Sequence, residues 1–254
     1  MTVKQKEKTP CILPDFNLAK LQCFDAQAFV SDDKDEQEVC NFILMLALAH
    51  NDFKDIFWAL RQINKIHPKK TRVTTYCGQI GGMYSHLMKL SIAHLCELAN
   101  SIKNNIDVLN KPLFKKVLSY VKGENIEYWS SLVGFAQGES DTELKRILIR
   151  IRGNITFHYH PKEIASGYKS FMDDETINKD FRNPYISRGN NWLESRFYFA
   201  DAAVQGSISK LKTDYKLDML DDVKKIIDRM NIALYHIVER FCQIRGKGYI
   251  SVDE

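Results

Sequence analysis

The sequence predicts an all-α fold: a single-domain helical bundle with long antiparallel helices. Three observations carry that expectation. Glycine and proline number only 12 and 6 in 254 residues, too few for the many tight turns of a strand-rich domain. Apolar residues recur at steps of three and four over long stretches, the period of one buried helical face. A content of 44% hydrophobic and 27% charged residues supplies one substantial core.

Residues 1–30 are expected to be a loosely ordered N-terminal segment, 31–246 the bundle and 247–254 a tail. The acidic stretch from Ser31 to Glu36 offers capping side chains and negative charge to the positive end of a helix. That helix is expected from about Asp35 to Ile66, with Val39, Phe42, Ile43, Leu46, His50, Phe53, Phe57 and Leu60 on one stripe and Pro68 beyond its end. Thr74 or Thr75 caps a second long helix carrying Tyr84, Leu87, Ser91, Leu95, Leu98, Ile102, Ile106 and Leu109. Gly78, Gly81 and Gly82 weaken its first turns, so either the helix starts after them or a neighbour packs closely there.

Two shorter helices follow, about Lys111 to Val121 and Glu124 to Gln137, divided by Lys122-Gly123. A fifth starts after Ser140, with Glu143 at the return position of a capping box, and turns Leu144, Ile147, Leu148, Ile151 and Ile155 inward. It ends near His160, because Pro161 lacks a backbone donor and pushes its predecessor out of helical geometry. From Lys162 to Asn191 the periodicity disappears and Gly, Asp, Asn and Pro accumulate, which reads as an irregular insertion, often a functional one at that length. Helix resumes through Phe197, Ala200, Val204, Ile208 and Leu211. The last helix is the clearest, with Leu220, Val223, Ile227, Met230, Leu234, Ile237, Phe241 and Ile244 in unbroken three–four spacing.

Composition also bounds function. A formal net charge of +4 permits an acidic partner but is far from a basic nucleic-acid coat. The six cysteines form no CxxC pair, so no zinc knuckle or redox motif is visible. The polar, lysine-rich start has no apolar stretch behind it of signal-peptide length, and no run reaches the ~20 apolar residues of a membrane span. A soluble, cytoplasmic protein without a membrane partner is the expectation. Neither a Walker loop, a dinucleotide glycine fingerprint, a GxSxG elbow nor an HExxH helix occurs.

One stretch carries the chemistry-bearing residues. Between Lys145 and His160 stand Lys145, Arg146, Arg150, Arg152, His158 and His160 without an acidic residue. On an ideal helix His158 falls close to the inward direction set by Ile151 and Ile155, with Asn154 one turn before it, whereas Arg152 is about 120° away. A bend at Gly153 or a second subunit is needed to bring Arg152 and His158 together.

Arg152-x5-His158, late in an all-α bundle and followed by an aromatic residue and a proline, resembles the R-x4–6-H motif of the HEPN superfamily, with the flavour of its bacterial defence and toxin–antitoxin members. That resemblance implies a HEPN-like bundle that homodimerises and cuts RNA in a shared cleft, with no metal or other cofactor and, for a toxin, an antitoxin or other protein partner. On this sequence it implies Arg152, His158 and Asn154 as catalytic residues, with Arg150, Arg146, Lys145 and His160 binding RNA. The residue types suit that chemistry, since a guanidinium forks onto phosphate oxygens, and an imidazole titrates near neutrality and moves the proton of a 2′-hydroxyl. In the last turn, His158 also meets the negative end of the helix dipole. Two departures stand out: Gly153 occupies the place of the polar residue that many members carry after the arginine, and His160 that of a tyrosine in the toxins paired with nucleotidyltransferases.

Plainer readings stand beside these. His158 on an apolar seam also suits a hydrogen-bonded core residue, and Arg146 with Arg150 suits a solvated face. The whole chain then reads as a non-catalytic helical module that binds a protein or RNA. His158-x-His160 has strand rather than helix spacing for two metal ligands and lacks further donors; His50, His86 and His94 read as core or boundary residues, and Asp173-Asp-Glu175 lacks calcium-loop spacing. The aromatic run Trp192 to Phe199 has the composition to stack bases, but Phe197 on the inward stripe reads as core.

Overall fold

The computed structural model describes residues 22–66, 74–139, 148–153, 160–177, 179–182, 184–188, 195–215, 219–246 and 250–251. The fold is all-α, and its strands are two-residue bridges. Helix α1 (Lys34–Ile66) starts where Asp33 accepts a hydrogen bond from the Glu36 amide at 2.9 Å, the capping role expected of the acidic stretch. Helix α2 (Thr75–Asn104) starts at Thr74, whose hydroxyl accepts from the Cys77 amide at 3.2 Å. It runs unbroken through Gly78, Gly81 and Gly82. The Tyr198 ring lies on Gly78 and the Arg196 guanidinium on Gly82, so of the two explanations for these glycines, close packing is the one observed.

Helices α1 and α2 are antiparallel neighbours. Phe53 packs on His94 and Ala49 O lies 3.3 Å from His94 Nε2, while Ile56 and Leu60 meet Met88, so positions rising along one helix meet positions falling along the other. Helix α3 (Pro112–Ser119) leads through Gly123, at φ 63°, into α4 (Glu124–Gln137), which ends on Gly138 at φ 80° with the Glu139 amide donating to Gly134 O at 2.8 Å. Glycine relieves the left-handed strain at both ends.

The final helix, α8 (Met219–Arg245), lies antiparallel to α1. Near its C-terminus Arg245 donates to Val30 O at 3.0 Å, Ala28 O at 3.2 Å and Glu36 at 2.8 Å, while its Tyr235 ring meets His50. One hydrophobic core runs through α1, α2, α3, α4 and α8 and takes in Val204 and, from the helical stretch 148–153 (α5), Leu148 and Ile151. Its aromatic centre joins Phe42 to Phe114 edge-on at 5.5 Å and Phe114 to Trp129 at 5.7 Å. Cys40, Cys96 and Cys242 are buried, as small apolar residues of a core are.

The expected irregular insertion over 162–191 is corrected in its first half. Pro161–Asp173 is a helix, α6, whose first residue is the proline read above as a stop. Proline fits the first helical position because its missing donor is unneeded there. Helix α6 fully buries only Gly167 and Phe171, with Ile164, Tyr168 and Met172 half-buried at helical spacing around them, so its apolar period exists but covers little more than two turns. It packs on α7 (Tyr198–Tyr215) backbone to backbone: a Cβ on Gly167 would collide with Ala203 O and Ser207, and one on Gly206 with Gly167 O. Ser207 Oγ, buried at the crossing, bonds Ala203 O at 3.0 Å. Between the two helices, Ile186–Ser187 pairs antiparallel with Arg196–Phe197. A similar bridge joins Gln22–Cys23 to Ile250–Ser251. No helix among the described residues is long and apolar enough to cross a membrane.

Candidate functional site

The site is built on one face of α2. Gly78, Gly82, His86, Lys89, Ala93 and Glu97 are spaced four, four, three, four and four residues apart, and at 100° per residue they stay within an arc of about 100°. The segments that follow the core in sequence come back to this stripe: the 148–153 helical stretch at its C-terminal end, the Arg196–Phe197 bridge and the start of α7 at its N-terminal end.

At the C-terminal end lies Arg152. Leu148 and Ile151, each fully buried, fix the stretch to the core. At Arg152–Gly153 the winding passes from α to π, a local widening that is rare in helices and concentrated at functional sites. The Arg152 side chain, about a third exposed, donates through Nη2 to the Glu97 carboxylate. Its Nε is sealed from solvent without an acceptor among the described residues, a deficit that costs about 1–3 kcal/mol for a buried donor. Arg152 is therefore a partly sunk guanidinium with one end at the surface.

Arg150 points elsewhere. It donates through Nη2 to both carboxylate oxygens of Glu163 at 3.2 and 3.1 Å, in the first turn of α6. His160, exposed, is the extended residue before that helix, and its carbonyl accepts from Ile164. Of the residues selected from the sequence, Arg150, Arg152 and His160 are thus placed, and the two arginines diverge onto different carboxylates. Asn154 and His158, and likewise Lys145 and Arg146, lie outside the described residues.

At the other end of the stripe is a group that motif reading did not select. Arg196, turned inward from its bridge, lies across Gly82 and pairs with Asp201 through Nε at 2.7 Å and Nη2 at 3.1 Å. Tyr198 donates to Thr75 O at 2.9 Å and fixes the start of α7 against α2. Lys89 is half-buried beside this pair. Burial holds its ammonium below the ordinary lysine range, Arg196 adds to the effect, and Asp201 opposes it. His86, at the outer rim, is also held below its usual value, by partial desolvation first and then by Lys89 and Arg196 against Asp201. Three basic side chains therefore share one carboxylate.

The residue after Arg196 corrects another expectation. Phe197 is 61% exposed rather than core, and Phe199 is 37% exposed, with the two rings 5.8 Å apart. The inward stripe fails there because α7 starts only at Tyr198. In the bridge, alternate residues face opposite ways, so Arg196 turned inward puts Phe197 outside. A legible signal existed in Gly78-x3-Gly82-x3-His86-x2-Lys89, a helical stripe of small and basic residues. Among the described residues no cluster of three His, Cys, Asp or Glu side chains is arranged to hold a metal ion.

No protein-family model, curated protein or solved structure matches this chain.

Proposed function

We propose that the protein is a HEPN-like, metal-independent endoribonuclease that acts as a cytoplasmic homodimer, in the manner of defence or toxin–antitoxin components. The observation that carries the reading is Arg152: rooted in the core through Ile151, set at a change of helical winding, and holding a guanidinium with more donors than partners. Such a group is preorganised for a phosphate, whose oxygens accept in the fork geometry that guanidinium presents.

In this mechanism Arg152 holds a scissile phosphodiester and offsets the charge that builds on its oxygens. His158 moves the proton. The 2′-oxygen forms its bond to phosphorus and gives up its proton to an imidazole, the bond to the 5′-oxygen breaks, and the leaving oxygen takes a proton from the imidazolium of a second copy. The products are a 2′,3′-cyclic phosphate and a 5′-hydroxyl. Asn154 orients one of the two groups, and no redox step or metal is called for.

A specific observation also favours the plainer reading of a non-catalytic module binding a protein or RNA: both described arginines of the stretch already hold carboxylates, Arg150 on Glu163 and Arg152 on Glu97. One experiment separates the two. Purified protein, Arg152→Ala, His158→Ala and the double variant are incubated with total RNA in chelator. Cleavage by the parent that disappears in each variant, with helix content and melting temperature nearly unchanged, supports the nuclease. Undiminished cutting by the double variant overturns it, and no cutting by any protein leaves the binding module.

A further inference from the structure

Beyond the Arg152 centre, the geometry points to a second RNA site on this chain: a single-strand platform in which His86, Lys89 and Arg196 take backbone phosphates while Phe197 and Phe199 stack bases. The inference rests on RNA being the ligand, as proposed above, but not on Arg152 cutting it.

The charge is the first argument. His86 and Lys89 project from successive turns of α2, and Arg196 is laid against the same face because Gly82 has no side chain to exclude it. Among the described residues the cluster contains one anion, Asp201, already engaged in both its oxygens by Arg196. Lys89 forms no hydrogen bond or ion pair among the described residues and is half withdrawn from water. A lysine in that state gains from an anion that supplies the missing countercharge.

The aromatic pair is the second, independent argument. Two phenylalanine rings stand 5.8 Å apart, Phe197 61% and Phe199 37% exposed, on the outer side of the bridge whose inner side carries Arg196. Exposed aromatic faces next to a cationic track are the arrangement that binds single strands without sequence preference, since every base has a π-face. A duplex hides those faces. Charge complementarity and the aromatic pair together select a single-stranded nucleic acid over an acidic protein, which has no bases to stack.

The position is the third. Lys89 and Glu97 are eight residues apart on α2, about 12 Å at 1.5 Å per residue. A strand held at Lys89 is therefore only a few nucleotides from the Arg152–Glu97 pair on the same helical face. The platform would set where along the strand the scissile phosphate falls.

The test is binding of a fluorescein-labelled 2′-O-methyl oligouridylate, which has no free 2′-hydroxyl and so survives any nuclease, to the full chain by anisotropy over a range of salt. Phe197→Ala is expected to weaken binding about tenfold, within the range for losing a stacked base, and Lys89→Ala to weaken it most at low salt, through the loss of one phosphate contact. The salt dependence distinguishes their roles. Lys89→Ala lowers the slope of log affinity against log salt by about 0.7, the value for one phosphate contact on a single strand, and Phe197→Ala leaves it unchanged. Since Phe197 is exposed, its variant is the safe arm if Lys89→Ala unfolds, with Lys89→Gln as the second basic variant.

Binding unchanged in both variants, or a duplex bound as tightly as the single strand, overturns the platform. If the parent cuts RNA and the variants bind like the parent, the platform alone fails. If the parent binds through Phe197 and Lys89 but cuts nothing, the nuclease reading fails and the platform stands. Absence of any binding by the parent overturns the platform, and cleavage of total RNA then decides the nuclease reading by itself.

Discussion

Glu97 on α2 carries the guanidinium of Arg152, fifty-five residues later in the chain. The pair ties the 148–153 stretch to the long core helix and also occupies donors that a phosphate would need. Its carboxylate is half exposed, so it competes with a ligand rather than sealing the arginine away.

Glu97→Gln should therefore tighten RNA binding rather than weaken it. An exposed ion pair contributes about 0.2–1 kcal/mol, so releasing Arg152 from it should raise affinity for the non-cleavable oligonucleotide by up to about fivefold. The melting temperature should change little. Weaker binding by Glu97→Gln would mean that the carboxylate positions Arg152 for its ligand instead of competing with it.

The α6–α7 crossing gives a stability prediction. Adding a methyl at Gly167 or Gly206 drives it into backbone atoms of the facing helix, which cannot rotate out of the way as a side chain can. Overpacking of this kind costs about 1–3 kcal/mol. For a chain of this size that is about 2–4 °C of melting temperature per kcal/mol. The damage should be local: amide exchange should speed up over 161–215 in Gly167→Ala while the fully buried Phe53, Phe114 and Phe241 regions stay protected. Uniform loss of protection would show that the hairpin is an integral part of the core.

The same crossing explains what the sequence could and could not disclose. Helices α1, α2, α4 and α8 bury large side chains in a repeating stripe, and their periods are legible. Helix α6 writes its period in only four positions, Ile164, Tyr168, Phe171 and Met172, and is seated by a glycine against backbone, so its short signal is outweighed by the turn residues that follow it. Pro161 reads as an end because it lacks a donor and pushes its predecessor out of helical geometry, yet the same properties suit the first turn of a new helix. At the site, Arg152 was legible as a charged motif residue, whereas Glu97, Glu163 and Asp201 were not, because their meaning comes from what distant segments bring to them.

His86 yields a pH dependence of two opposite signs. Partial desolvation first, and then Lys89 and Arg196, hold its folded value below the ordinary 6.5, while Asp201 favours protonation. The unfolded chain therefore takes up this proton first, so its contribution to stability is complete above about pH 6.5 and declines as the pH falls below that value. A bound phosphate reverses the local field and favours the imidazolium. Lowering the pH from 7.5 to 5.5 should lower the melting temperature of the free protein while tightening RNA binding. His86→Ala should flatten the tightening. An acid-side gain in affinity that persists in His86→Ala would assign it to another group.

Three glycines in the first turns of α2 offer a graded experiment on a single helix. Replacing any of them with alanine favours the helix by about 1 kcal/mol in propensity, and what the new methyl meets then decides the sign. At Gly81 it meets nothing within 4 Å, so Gly81→Ala should raise the melting temperature. At Gly78 it meets the Tyr198 ring, which is held by the hydrogen bond to Thr75 O and turns aside only by giving that up. Gly78→Ala should be destabilising despite its better propensity. At Gly82 it meets the far end of Arg196, a flexible side chain that can swing outward. Gly82→Ala should thus keep its melting temperature near that of the parent and lose RNA affinity, because the guanidinium leaves the cluster with Lys89 and His86. If Gly82→Ala instead bound RNA like the parent at unchanged stability, the Arg196 position against α2 would be a packing feature with no part in recognition.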